Sequence, residues 1–283
     1  MKTVLVPIDF SDTSANAVDY TAGFCKQFDY QRVILLKSFY DTLFDEVVMS
    51  AAYGGVDTSF RAREHEEAEA TLKEWGRKLS QKNREVVVEA ITTELPIMRA
   101  IAQAVRDENP RSILFGSDNN AYDNDSYVSG HAIEIAKTSP VNVMIVPAGQ
   151  SYQPIEEVLI PVDSFSRGSL ARLDELSNRP YLGKMKLDVL KLDAGSTNGN
   201  GQGAGKEDEE LHRVLSDVRH EIFTGNEKKA IDAIMNFLKG HSVQLILALP
   251  GKYSFLYRLT HQLIGEAICR NTEKPVLIVK EFV

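Results

Sequence analysis

Cysteine is almost missing from this sequence. Cys25 and Cys269 are the only two in 283 residues, they lie far apart, and neither a Cys-x-x-Cys pair nor a metal-ligand spacing includes them. That excludes a disulfide framework and fits a reducing compartment. Positive charge is also short: 32 Lys and Arg stand against 40 Asp and Glu, for a formal charge of −8. This balance works against the phosphate attraction that supplies most nucleic-acid affinity. No apolar run approaches the roughly 18 residues of a membrane span. The opening MKTVLVPIDFSD reaches Pro7 and Asp9 before a secretory apolar core forms. A cytoplasmic protein that binds neither nucleic acid nor membrane is therefore expected. What is present in quantity is core material, 43% hydrophobic residues, enough for two domains of ordinary size.

The chain repeats itself, and a repeat decides the fold before any single element does. VLVPIDFS at 4–11 recurs as VLIPVDSFS at 158–166, with Asp163 where Asp9 stood. VILLK from Val33 answers LDVLK from Leu187, ILFGS at 113–117 answers ILALP at 246–250, and PVNVMIV from Pro140 answers PVLIV from Pro275. Four marks in one order predict a tandem duplication, with a first domain over 1–147, a polar linker over 148–157 and a second domain over 158–283.

Each copy alternates short β-branched runs with helical patterns, the signature of βαβ units and a parallel sheet. Strands are predicted near 3–8, 32–38, 85–91, 111–116 and 141–146, and again near 158–162, 186–192, 217–223, 243–249 and 276–280. Ala68, Leu72, Trp75 and Leu79 recur at helical spacing, as do Ile97, Ile101 and Val105. Helices are expected around 169–177, 227–238 and 256–270 in the second copy. The fold class that follows is α/β, two tandem doubly wound parallel five-stranded sheets. The Gly-rich tract at 194–210 completes neither G-x-G-x-x-G nor a Walker pattern and reads as a flexible linker. Segment 41–60, with Met, Phe, Tyr and Gly54-Gly55, reads either as a lid or partner-binding loop or as a partly packed connection.

In an open parallel sheet, ligands bind beyond the carboxyl ends of the strands where strand order reverses. Strand one ends in Pro7-Ile8-Asp9-Phe10-Ser11. Asp9 there either accepts hydrogen bonds from a ligand or, with Ser11, caps the next helix. Strand four runs through Phe115-Gly116-Ser117 into Asp118 and Asn119, and a helix pattern starts near Ser129-Gly130-His131. A glycine at the strand end and free amides at the next helix suit an anion. Asp118, Asp123 and Asp125, with no Lys or Arg in the loop, repel phosphate unless a divalent cation intervenes.

The VPIDFS opening, Gly116-Ser117 at the end of strand four and the closing SPVNVMIVP together resemble the universal stress protein family, over nearly the whole chain in two copies. The resemblance implies a Rossmann-like fold of the adenine nucleotide alpha hydrolase-like kind, often paired through its final strands. In one branch it implies an ATP site of the pattern G-2x-G-9x-G-[ST]. Residue by residue, Gly116 matches the first glycine, Asn119 replaces the second, and Ser129-Gly130 stand where Gly-Ser/Thr belong. In such a site Pro7, Asp9 and Ser38 line the nucleoside end, while the loop from Phe115, Gly116 and Ser117 through Asn119 to Ser129 and Gly130 holds the phosphates. In the second copy Leu249 falls near Gly116 and Lys252 near Asn119, and Gln262-Leu263 replace the terminal pair, so that half reads as mainly structural.

Two functions stay open. In the first, a cytosolic regulatory protein keeps a cleft for ATP or another adenine nucleotide, with magnesium, in copy one. In the second, the chain is a nucleotide-independent scaffold that acts through partners, its cleft vestigial or adapted to another small ligand. Catalysis has little support: His65, His131, His212, His220, His241 and His261 are scattered, none completes H-E-x-x-H or a comparable ligand pair, and no G-x-S-x-G elbow occurs. Slow ATP hydrolysis is the most that is expected, and no metal site. His65 with Glu69 is expected to be an exposed i,i+4 charge pair. The apolar final strands, Val141–Val146 and Val276–Val279, are expected to cover each other as an intramolecular pseudo-dimer, with a homodimer also open.

Overall fold

Runs of Val, Ile and Leu in the first half form five strands: β1 (Thr3–Ile8), β2 (Arg32–Ser38), β3 (Val87–Thr93), β4 (Ser112–Ser117) and β5 (Asn142–Pro147). In the computed structural model, which describes residues 1–40, 58–118, 126–163, 170, 173–175, 182–193, 202–226, 230–249 and 273–280, these strands are all parallel and lie in the order β3-β2-β1-β4-β5. The chain steps outward from β1 to β3, crosses back, and continues through β4 to β5, so order reverses between β1 and β4. That is the doubly wound arrangement.

Local chemistry places the helices. Ser11 caps α1 (Asp12–Gln27), its hydroxyl accepting from the Ser14 N–H at 3.2 Å, and Asp12 sits in the first turn, where the helix dipole favours a negative charge. The helix buries Ala17, Val18, Phe24 and Cys25 against the sheet, each large side chain contributing about 1.5–3 kcal/mol. The same burial pushes the Cys25 thiol up to about 12, with Lys2 acting weakly the other way, so it is inert core material. Helix α2 (Thr58–Lys82) buries Leu72 and Leu79. Helix α3 (Ile97–Glu108) follows Pro96 and ends at Asn109, whose left-handed φ of 45° stops it one residue before Pro110. Beyond β4 lie two short helices, α4 (Tyr127–Gly130) and α5 (Ala132–Thr138), divided at His131.

A second set of strands follows: β6 (Glu157–Asp163), β7 (Lys186–Asp193), β8 (Arg219–Asn226), β9 (Leu245–Ala248) and β10 (Val276–Ile278), with helices α6 (Gln202–Val214) and α7 (Ala230–Gly240). Its order is β8-β7-β6-β9-β10, all parallel. The chain divides into two compact units, Met1–Tyr152 and Gln153–Val283, the division falling inside the stretch read as a linker. The start of that stretch is fastened to the first unit. Asn16 donates to the Pro147 and Gln150 carbonyls at 3.2 and 3.3 Å, and Tyr152 packs edge-to-face on Tyr20 at 5.0 Å.

Registers repeat between the units. Thr3 pairs with Arg32, and Glu157, 154 residues on, pairs with Lys186, likewise 154 residues on. Leu79 of α2 and Val86 before β3 are buried, as are Leu211 of α6 and Val218 before β8.

Three expectations need correcting. Strand β3 starts at Val87, two residues later than predicted, because Val86 turns into the core ahead of it. The Gly-rich tract is not linker throughout: from Gln202 it is helix α6, held down by Leu211 within it and Leu215 directly after it, both 0% exposed, so burial overrides the glycines' poor propensity. Pro140 and Pro275 are not equivalent. Ile113 pairs with Val143 and Ile246 with Val276, which makes Asn142 the counterpart of Pro275, because the second unit enters its last strand directly from the proline. The helix expected at 256–270, most of that at 169–177, and segment 41–57 lie outside the described residues. Among the described residues, no helix is long and apolar enough to cross a membrane.

Candidate functional site

Asp9 leaves β1 at its carboxyl edge, beside the point where strand order reverses. Its Oδ1 accepts from the Ser11 N–H (3.1 Å), the Ser11 hydroxyl (2.6 Å) and the Ser14 hydroxyl (2.5 Å). Its Oδ2 accepts from the Ser126 hydroxyl (2.7 Å) and the Val128 N–H (2.9 Å). A carboxylate offers about four lone-pair sites, and five donors take them all. Burial would push the Asp9 pKa up, but the hydrogen bonds from Ser11, Ser14, Ser126 and Val128 overcome it and hold the carboxyl below its ordinary value. Asp9 thus ties the start of α1 to the start of α4. Ser126 is itself the α4 cap, its oxygen accepting from the Ser129 N–H at 3.1 Å.

The other nominated residues divide into core and frame. Pro7 is buried in β1 in register with Leu36, and Phe115 is 0% exposed in β4. The Ser38 hydroxyl donates to the Leu95 carbonyl at 2.6 Å and accepts from the Tyr40 N–H at 3.3 Å. Ser117 is buried, its carbonyl accepting from the Ala148 N–H at 2.9 Å. The Ser129 hydroxyl accepts from the Asp118 N–H at 2.8 Å. Gly130 is exposed, and a Cβ there would meet nothing within 4 Å. Asn119 lies outside the described residues, as do Asp123 and Asp125.

Gly116 is explained by packing. A Cβ on it would run into the Thr13 carbonyl oxygen and lie 2.6 Å from Thr13 Cγ2, so the first turn of α1 requires glycine here. The Thr13 hydroxyl in turn donates to the Asp118 carboxylate. Asp118 thus places a carboxylate at the loop assigned to phosphates.

Sequence reasoning missed the aromatic side of this edge. Phe10, directly after Asp9, has a left-handed φ of 64°, a conformation costing an aromatic residue about 1–3 kcal/mol unless its surroundings enforce it. Its ring meets Trp75 edge-on at 5.4 Å, and the Lys37 ammonium lies 5.6 Å from its centroid and 5.5 Å from that of Phe39. Phe39 stacks on His65 at 3.9 Å, and Glu69 pairs with Lys73 at 3.6 Å, so the expected His65–Glu69 pair gives way to an aromatic contact. Lys37 is only 5% exposed. The signal available was a lone lysine in the apolar run VILLKS.

Residues 1–147 match the model of the universal stress protein family. A universal stress protein from Archaeoglobus fulgidus superposes at TM-score 0.67 with 17% identity, covering 99% of this chain and 96% of that one. A putative universal stress protein from Pseudomonas aeruginosa gives 0.57 with 12% identity, covering 99% and 93%. The cytoplasmic domain of a prokaryotic cation chloride cotransporter gives 0.50 with 12% identity, covering 99% and 95%. At these identities the likeness is one of fold. No curated protein sequence matches.

Proposed function

The chain belongs to the universal stress protein family through residues 1–147, and from that membership we propose a cytoplasmic regulatory protein that acts by association, without a bound nucleotide. The observation that carries this reading is Asp9. All five of its hydrogen bonds come from the protein's own backbone and hydroxyls, so a nucleotide amine or hydroxyl must displace one of them before it binds. The neighbouring Asp118 carboxylate, engaged by Thr13, opposes a polyphosphate. Among the described residues, the donor set around Asp9 and Asp118 does not fit ATP.

Native mass spectrometry of freshly purified protein, followed by thermal melts with millimolar ATP, ADP or AMP and magnesium, tests this. The expected result is a mass free of nucleotide and no rise in melting temperature. A ligand at about 100 times its Kd would add about 2.7 kcal/mol, a shift that overturns the reading.

One observation favours the alternative of an adenine nucleotide with magnesium in the first unit: Asp9 stands at the reversal point between β1 and β4, where this sheet type binds ligands. Nucleotide binding that disappears in Asp9→Ala would establish it. We also propose that the two units arose by duplication, supported by the shared strand order and registers. The final strands are proposed to cover each other within one chain, so that native mass spectrometry finds the 31.5 kDa monomer rather than a homodimer.

A further inference from the structure

The strongest unassigned chemistry lies in the second unit, where the end of α6 meets the start of β8. His212 Nδ1 and His220 Nε2 are 2.7 Å apart, and the ring centroids are 4.9 Å apart. The other nitrogen of His220, Nδ1, lies 2.8 Å from the Val218 carbonyl oxygen. A carbonyl only accepts, so Nδ1 carries a proton, and in the neutral ring the Nε2 lone pair is then aimed at His212. Histidine metal ligands are held in this way, the remote N–H donated to a carbonyl that fixes both tautomer and ring orientation.

We propose that His212 and His220 are the two protein ligands of an exchangeable site for a divalent transition metal of the zinc, copper or nickel class. Imidazole suits these ions, and a Zn–N bond of about 2.0–2.1 Å needs the two nitrogens to part by only a fraction of an ångström. His220 is already presented as a ligand. His212 becomes one when its neutral ring carries the proton at Nε2 instead of Nδ1, a change of tautomer that leaves its charge unaltered. His212 is exposed at the end of its helix, so its ring has room for the adjustment.

The nearby arginines are engaged elsewhere, Arg213 with Glu210 at 3.2 Å and Arg219 with the Lys184 carbonyl at 3.4 Å. Among the described residues no group of three His, Cys, Asp or Glu surrounds a metal position, so water completes the shell and the ion exchanges. At the equivalent positions the first unit carries no histidine. The equivalence of Leu79 with Leu211 and of Val86 with Val218 puts Ser80 and Val88 at the two histidine positions.

Titration calorimetry of the full chain with zinc chloride in metal-free buffer tests the site. One zinc per chain is expected, weakened at least about ten-fold, the scale of losing a metal-supporting group, in both His212→Ala and His220→Ala and unchanged in His241→Ala. Circular dichroism melts of the variants establish that they are folded, and His212→Gln repeats the test with a bulkier polar side chain. Imidazole nitrogen resonances of His212 and His220 should shift on zinc addition. Absence of saturable binding, wild-type affinity in either alanine variant, or equal loss in His241→Ala overturns the proposal.

Discussion

At Asp9, the hydrogen bonds that occupy the carboxylate also give it a pH signature. Its folded pKa lies below the ordinary 3.8, so the folded state binds this proton less readily than the unfolded chain does. The resulting stability is complete above the unfolded pKa and is lost as pH falls through the folded one. In Asp9→Asn an amide N–H₂ faces donors that need an acceptor, and a loss of about 1–3 kcal/mol at neutral pH is expected. Denaturant titrations of both proteins at a series of pH values check this: the gap should be constant above about pH 5 and should close below the ordinary carboxyl range. A gap that persists unchanged into acid would mean the charge is not what Ser11, Ser14, Ser126 and Val128 stabilise. Gly116 carries the second prediction at this scale. Because the Thr13 backbone fills the place of its absent side chain, Gly116→Ala should cost about 1–3 kcal/mol by overpacking in ligand-free protein. Wild-type stability in that variant would return Gly116 to a purely ligand-facing role.

Between elements, the same strand pair has been charged differently in the two units. In the first, Arg32 on β2 meets Glu89 of β3 and Glu108 of α3, the latter at 2.7 Å. In the second, Lys186 on β7 meets Glu221 of β8 at 3.1 Å and Asp188 of its own strand at 3.2 Å. Asp188 is 0% exposed, and apart from this ion pair with Lys186 its carboxylate oxygens have no hydrogen-bond partner. Register places Ile34 at the same position in the first unit. Asp188→Val, which removes the buried charge and leaves Lys186 to Glu221, should therefore stabilise the protein by about 1 kcal/mol or more, read from its denaturation midpoint; destabilisation would mean the Lys186 contact outweighs the desolvation of Asp188. These relations also mark the limit of what the sequence discloses. The strands were legible because VLVPIDFS and VLIPVDSFS are runs of β-branched residues fixed by burial on both faces. Helix α6 was not, because its glycines signal a loop, and its burial rests on Leu211 and on Leu215 directly after it. Asp9 was legible as a position, yet its bonds to Ser126 and Val128 span more than a hundred residues and follow no local period. His212 and His220, eight residues apart, meet only because a helix turns back into a strand.

Over the whole molecule, coupling between the units has a built-in reporter. Trp75 is the single tryptophan; it sits in the first unit with its ring edge-on to Phe10, so its fluorescence follows that unit alone, while far-ultraviolet circular dichroism follows both. If the apolar strands β5 and β10 cover each other as proposed, an unpaired edge is exposed whenever either unit opens, and the two should melt together. Asp188→Val, a substitution in the second unit, is then expected to raise the Trp75 transition along with the dichroism transition, and Gly116→Ala, a substitution in the first, to lower both. Coincidence of the two probes is the ordinary criterion for a single cooperative unit. A Trp75 transition that ignores Asp188→Val while the dichroism curve splits in two would show instead that each five-stranded sheet unfolds by itself. The proposed pairing would then be wrong, and β5 and β10 would each need another cover, a second copy of the chain being the first to seek by native mass spectrometry.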